Sequence, residues 1–190
     1  MEQVYIENKT FDKTNFKENP LSKGVYENCH FINCDLADSN LADSKFLTCN
    51  FTGCNLSLAK LHKTGFQDVK FKDCKMLGLQ FMNCNEFGLS FSFENCMLNH
   101  SSFYKLKIKK TTFKTSQLQE TDFTACDLTG SLFDNCDLLN AMFENTIVVK
   151  ADFRTSYNYS IDPEINQIKK AKFSLTGLPG LLMKYDIEIQ

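Results

Sequence analysis

From Ile6 onward, every fifth residue of this chain is apolar. The run Ile6, Phe11, Phe16, Leu21, Tyr26, Phe31, Leu36, Leu41, Phe46, Phe51, Leu56, Leu61, Phe66, Phe71, Met76, Phe81 has no exception. The phase then slips by two residues. A second run follows through Phe93, Leu98, Phe103, Ile108, Phe113, Leu118, Phe123, Leu128, Phe133, Leu138, Phe143, Val148 and Phe153. Fifteen of the 18 phenylalanines stand at these stops. Two residues ahead of most stops sits a small residue, as at Cys29, Cys34, Ser39, Ser44, Cys49, Cys54, Ala59 and Thr64. Residues two apart on an extended segment share a face. A large and a small side chain therefore point inward together, and the other three positions meet water. Helices repeat at 3.6 residues and strands at 2; a period of five belongs to a chain that turns a corner after every pentad. The predicted class is all-β, a solenoid of stacked coils.

The interruptions carry their own expectations. Continuing the first phase through Asn83–Phe93 would turn Glu86 inward, where an unpaired carboxylate costs several kcal/mol. Phe87 is expected to take the core position instead, with the two surplus residues bulging outward. After Phe153 the five-residue step meets Asn158 and Pro163 before Ile168 and Phe173. Residues 158–166 thus read as an excursion within one more coil. In the tail, Leu175, Leu178, Leu182 and Tyr185 have helical spacing, Pro179 suits a first helical turn, and Ile187 and Ile189 alternate as a short strand. Residues 1–175 are assigned to the solenoid and 176–190 to a C-terminal cap or dimerisation segment. A cap would protect the open end of the sheet. A C2 dimer would use Leu178, Leu181, Leu182, Tyr185, Ile187 and Ile189, and is preferred because so short a helix carries more leucine than a cap needs.

Composition removes several function classes. All nine cysteines fall on the small inward position and CxxC is absent, so zinc-ligand spacing fails and free structural thiols are expected. His30, His62 and His100 occupy outward positions without a nucleophile or ligand set at matching spacing, and no phosphate-cradling glycine loop exists. The chain reads as non-enzymatic, with no metal or cofactor. No apolar run approaches the ~20 residues of a membrane span. The start MEQVYIENKTF lacks the features of a signal peptide, so a cytoplasmic protein with no membrane partner is expected. A net charge of −2 excludes a generic basic nucleic-acid binder, and no direct nucleic-acid contact is expected. Charge is nonetheless uneven along the chain: residues 55–114 carry ten lysines against four acids, and residues 115–153 carry seven acids against Lys150.

Five pentads, CDLAD (34–38), SNLAD (39–43), CNFTG (49–53), CDLTG (126–130) and ADFRT (151–155), resemble the motif of the pentapeptide-repeat family: a small residue, Asp or Asn, Leu or Phe, then two polar residues. The resemblance spans roughly residues 6–175 and implies a right-handed quadrilateral β-helix with 20 residues per coil. The tail AKFSLTGLPGLLMKYDIEI is similar to the C-terminal segment of the Qnr quinolone-resistance subfamily. That likeness implies a homodimer of rods joined end to end through the C-terminus. It also implies mimicry of duplex DNA, binding to DNA gyrase or topoisomerase IV, and protection of that enzyme from quinolones. The candidate partner-binding residues are then Glu86, Phe87 and Leu89 at the slip, with Glu120, Asp122, Asp127, Asp134 and Asp137 in the acidic half. The alternative is a rigid protein–protein interaction scaffold with a different partner.

Overall fold

The computed structural model describes residues 4–188. Each coil takes four pentads, so a residue lies beside the one 20 positions later: Phe11 pairs with Phe31, Phe31 with Phe51 and Phe51 with Phe71, all parallel. Two walls carry regular sheets, one of four strands and one of seven. The other walls are joined by single bridges such as Asn40↔Lys60 and Asn55↔Lys75. At most corners one residue is left-handed, among them Asn33, Asp38, Asp43, Thr48 and Gly53. Asn and Asp tolerate that region better than other side chains, which is how the chain turns so often with few glycines.

The motif's positions each acquire a physical reason. The Asp or Asn before a core stop accepts the backbone N–H two residues on, as in Asp35 to Ala37 (3.0 Å), Asn55 to Ser57 (3.2 Å) and Asp122 to Thr124 (2.8 Å). This is the Asx turn, built by a short acceptor side chain. The small inward residue is a donor as well as a space-saver. It bonds the carbonyl of the core residue one coil below: Cys54 Sγ to Phe31 (3.3 Å), Thr146 Oγ1 to Phe123 (2.9 Å), Ser156 Oγ to Phe133 (2.7 Å). A buried carbonyl left unpaired would cost about 1–3 kcal/mol. Cys, Ser and Thr fill the position because they fit and also donate.

The two aromatic runs merge into one column. Phe11, Phe31, Phe51, Phe71, Phe93, Phe113, Phe133, Phe153 and Phe173 stack successively, with ring centroids 4.5–5.4 Å apart and planes within 21°. Below the slip, rings from one neighbouring wall meet this column edge-on: Phe46 on Phe51 (5.4 Å, 70°) and Phe66 on Phe71 (5.7 Å, 77°). Above it the edge-on partners come from a different wall: Phe103 on Phe113 (5.9 Å, 85°) and Phe123 on Phe133 (5.8 Å, 89°). The aromatic contribution changes walls at the slip, and Phe81 is the rung where it does so, touching Phe66, Phe91, Phe93 and Phe103.

This corrects the expectation for Phe87. The strand Val69–Lys72 pairs with Phe91–Glu94 at an offset of 22, so Phe71 meets Phe93 and the column continues. The Ser90 N–H bonds the Phe66 carbonyl (2.9 Å), which sets Leu89 on the rung above Phe66, while Gly88 before it is exposed and left-handed (φ 68°). Phe87 points into solvent, 82% exposed. The space is filled by larger residues at the normally small position: Val69, Leu79, Phe91 and Leu106 are all buried, with Leu89 half-buried beside them. Placing a second large ring at Phe91 makes an inward Phe87 unnecessary. Gly88 is the residue whose conformation allows the chain to turn out and back.

Residues 158–166 do not project. Asp137 still bridges Tyr157, Ile147 bridges Gln167 and Asp152 bridges Lys172, each at an offset of 20. Tyr159, Ile161 and Asn166 turn inward in place of Asn158 and Pro163. The tail then folds back over this last coil. Pro179 begins the helix Pro179–Leu182, as expected, and a single 3-10 turn Met183–Tyr185 follows. The predicted strand is not formed at Ile187, which is exposed and irregular. Among the described residues no open strand lies beside it to supply ladder partners, and Ile189 lies outside those residues.

Candidate functional site

Reactive chemistry is poorly provided for. All nine cysteines are buried and unbridged. Burial pushes the Cys49 and Cys136 thiols up to about 12 and raises Cys84 and Cys126 as well, so they are held as thiols, away from the thiolate form that attacks or ligates. His100 meets Glu120 at 3.2 Å in an exposed pair, and His30 and His62 stand exposed. Among the described residues no cluster of three His, Cys, Asp or Glu is arranged to hold a metal ion. Among the described residues no helix is long and apolar enough to cross a membrane.

Two apolar features stand out on the surface. The first is the bulge at Asn85–Ser90. Asn85 Oδ1 accepts the Phe87 N–H (3.0 Å), Gln67 Nε2 donates to the Phe87 carbonyl (3.1 Å), and Ser90 Oγ accepts from Asp68 N–H (2.8 Å). The loop is tied to the coil below at two of these points and braced internally at the third, so an exposed aromatic ring is presented on a fixed support. Glu86 is exposed beside it. Leu89, expected to face a partner, instead packs partly against the core, because it takes the rung above Phe66.

The second feature is the C-terminal end. Leu181 packs against the core, and Leu182 is half-buried. Gly177 and Gly180 press on Tyr159 so closely that a Cβ on either would fall within 2.2 Å of it. Lys184 reaches Asp162 (2.9 Å) and Tyr185 donates to Glu164 (2.7 Å). The tail therefore caps the last coil. It also leaves Leu175, Leu178, Met183, Tyr185 and Ile187 exposed, Leu175 by 86%. A groove of about 610 Å³ runs beneath it, lined in part by Leu139, Tyr157, Pro179 and Met183. Met183, Leu139 and Tyr157 were not singled out from the sequence, and Leu175 was read there only for its helical spacing. The available signal was an apolar residue at a position the pentad normally gives to polar groups.

The acidic candidates are dispersed. Asp122 ladders between Ser102 and Met142, Asp127 between Lys107 and Ile147, and Asp137 between Gln117 and Tyr157. These three lie on three different walls, and Asp134 follows Phe133 on the remaining one. Glu120 is near Asp137 only through Gln119, which donates to Asp137 (2.7 Å). Asp122, Asp127 and Asp137 each close an Asx turn, and Asp134 accepts from Thr155 (2.9 Å). Local backbone geometry accounts for several of these acids.

One carboxylate is tuned strongly. Arg154 clasps Asp152 through Nε and Nη2 (3.0 and 2.8 Å), Lys172 adds a contact at 3.4 Å, and the acid's pKa falls to about 2. A folded-state value below the ordinary ~3.9 stabilises the fold above about pH 4, and that share is lost as pH falls through about 2. The Asp152→Asn protein is therefore expected to unfold at lower urea than wild type at neutral pH, with the gap closing as pH drops towards 2. A gap independent of pH would contradict this role.

A parallel β-coil with its large side chains stacked inside, and its variation confined to the walls, defines a solenoid repeat protein, whose working part is its surface. The chain belongs to the pentapeptide-repeat family: the model of the pentapeptide repeat region matches residues 26–92 and 90–158. No curated protein matches it. Among solved structures it is similar to a trypsin-treated variant of QnrB1, a plasmid-mediated fluoroquinolone resistance protein, at 16% identity and a TM-score of 0.54, covering all of both chains. A second trypsin-treated QnrB1 variant aligns at 17% identity and a TM-score of 0.52, over 99% of this chain and 98% of that one. HetL, a pentapeptide repeat protein involved in heterocyst differentiation regulation from Nostoc sp. strain PCC 7120, aligns at 13% identity and a TM-score of 0.39, over 90% of this chain and 85% of that one.

Proposed function

We propose that this chain is a non-catalytic interaction scaffold whose partner is a type II topoisomerase, DNA gyrase or topoisomerase IV, and that binding relieves inhibition by quinolones. The scaffold reading rests on Phe87. An aromatic ring 82% exposed on a loop held by three hydrogen bonds, two of them to the coil below, has the form of an interface anchor, since pre-ordered aromatic residues carry a large share of binding energy at interfaces. The topoisomerase partner is proposed from the QnrB1-like fold and the Qnr-like tail. The acids dispersed over four walls favour contact through the bulge over an acidic face imitating DNA.

The test is gyrase supercoiling with a quinolone present. Wild-type protein is expected to restore supercoiled product at micromolar concentration, and Phe87→Ala to lose about tenfold or more in potency, the cost of a hot-spot residue. Failure of the wild type to bind or protect removes the topoisomerase.

The same proposal includes a homodimer joined through the C-terminal end, where apolar groups are gathered. Light scattering is expected to report two chains for wild type and one for Leu178→Asp, an exposed position whose change spares the cap. A wild-type mass of one chain defeats the dimer.

A further inference from the structure

We propose that one wall of the C-terminal coils docks an acidic, aliphatic protein segment in extended form. Three adjacent ladders climb this wall. One runs Lys107, Asp127, Ile147, Gln167. Beside it run Lys109, Thr129, Val149, Lys169, and at the corner Lys110, Gly130, Lys150, Lys170, aligned by bonds such as Lys110 N–H to Thr129 and Lys150 N–H to Lys169. The wall thus holds six lysines and a single carboxylate, Asp127, which Lys109 engages at 3.1 Å. All six lysines are exposed. The unevenness seen along the sequence is here an unevenness between walls: lysines on this one, most acids of the same coils on the others.

Nothing in the fold asks for these lysines. Elsewhere a lysine often faces an acid about one coil away, as Lys17 does Asp38, Lys23 does Asp43 and Lys72 does Glu94. Among the described residues Lys107, Lys110, Lys150, Lys169 and Lys170 have no such partner. Lys110, Lys150 and Lys170 are also left-handed, with φ of 57°, 58° and 58°. In the lower coils the same corner is held by Asn8, Asn28, Thr48 and Asp68, of which the Asn and Asp residues suit that conformation better. Lysine there is strained, and Lys150 above Lys170 adds like-charge repulsion between neighbouring strands. Left-handed lysines stand singly elsewhere, at Lys13, Lys63 and Lys105; two in succession up one corner, with no acid facing either, point to a use outside the fold.

The wall's centre identifies the chemistry of the partner. Ile147 and Val149 are half-buried and aliphatic, and the three ladders contain no arginine and no aromatic residue. A nucleic-acid surface would use arginine forks on bases and aromatic rings for stacking. An extended peptide sends alternate side chains to opposite sides; with acids and small aliphatics interspersed it meets the lysines with charge and Ile147 and Val149 with apolar area. The ladders begin one coil above the Phe87 bulge on the same wall and share no residue with it or with the tail, so the site stands whether or not a topoisomerase binds.

The probes are a short fluorescent peptide alternating Glu and Val, an all-Glu peptide of equal length and a short DNA duplex, each titrated into the full chain by anisotropy. The alternating peptide is expected to bind about tenfold tighter than the all-Glu peptide and tighter than the duplex. The double variant Lys150→Asn, Lys170→Asn is expected to weaken it about tenfold or more, a loss of ~1.4 kcal/mol, while its urea midpoint stays level or rises because asparagine suits the corner. Lys60→Asn with Lys63→Asn, on another wall, should leave binding unchanged. Absence of peptide binding, duplex affinity equal to the peptide's, or an unaltered affinity in the Lys150/Lys170 variant would each overturn the proposal.

Discussion

Truncating Phe113 to alanine is expected to cost about 3–5 kcal/mol of stability, whereas the same truncation at Phe87 should stay within about 0.5 kcal/mol. Both positions are phenylalanine, and the contrast isolates what the fold does with them. Phe113 is wholly buried. It stacks on Phe93 (5.2 Å) and Phe133 (4.8 Å) and receives the edges of Phe103 and Phe123 (both 5.9 Å). Its removal leaves a cavity bounded by four rings held by sheet hydrogen bonds that resist collapse. Each ring pair adds about 0.5–1.5 kcal/mol beyond area burial, so the loss should lie at the upper end of the range. Because coils contact only their neighbours, the damage propagates to the coils on either side. Equilibrium urea denaturation followed by circular dichroism measures both variants. Equal losses at the two sites would mean that Phe87 is not the solvent-facing residue described above.

The second large effect is expected at Gly180. An alanine Cβ there would sit 2.2 Å from the backbone carbonyl oxygen of Tyr159. That atom belongs to the last coil and cannot swing aside as a side chain can. Gly180 must therefore lift, and its own carbonyl, the acceptor of the Ile161 N–H at 2.9 Å, goes with it. Overpacking of this kind costs about 1–3 kcal/mol, here spent on undocking the tail while the inner coils stay folded. Hydrogen exchange should show loss of protection at Ile161, with the amides of the Phe113 and Phe133 strands unchanged, and protease should cleave near Leu182 sooner than in wild type. Retained protection at Ile161 would show that the cap does not depend on this close approach. Under the proposed C-terminal dimer, the Gly180→Ala protein is also expected to be monomeric, because the exposed leucines lose their common support.

Much of this structure was legible because its rule is local. An inward stop every five residues places Phe51, Phe71, Phe113 and Phe133 inside without reference to any distant residue, and all four are buried. The Cys, Ser and Thr positions were read as small; their second role, donating to a carbonyl one coil below, needs the vertical neighbour and could not be read along the chain. The acids of the C-terminal half misled for a related reason. Asp122, Asp127 and Asp137 form one cluster by sequence position, yet successive pentads face different walls, so a run of charge in the chain is dispersed around the rod. Lys110, Lys150 and Lys170 lie as far as 60 residues apart in the chain and form one corner. The bulge failed differently: Glu86 was correctly kept out of the core, but Phe87 was assigned to fill the space because hydrophobicity alone made it the nearest choice.

What the sequence by itself determined is the repeat, the side of the wall that residues of the regular pentads occupy and the family, since pleat and corner geometry act over two to five residues. The tertiary structure alone decided how the slip is filled, which walls carry charge, and that one Leu-rich tail both caps the coil and leaves apolar surface outside. Those outcomes depend on neighbours 20 or 22 positions away. Stacking brings such residues within contact distance, where volume, hydrogen-bond supply and charge must be satisfied together, and no short stretch of chain contains all the groups that compete for the same space.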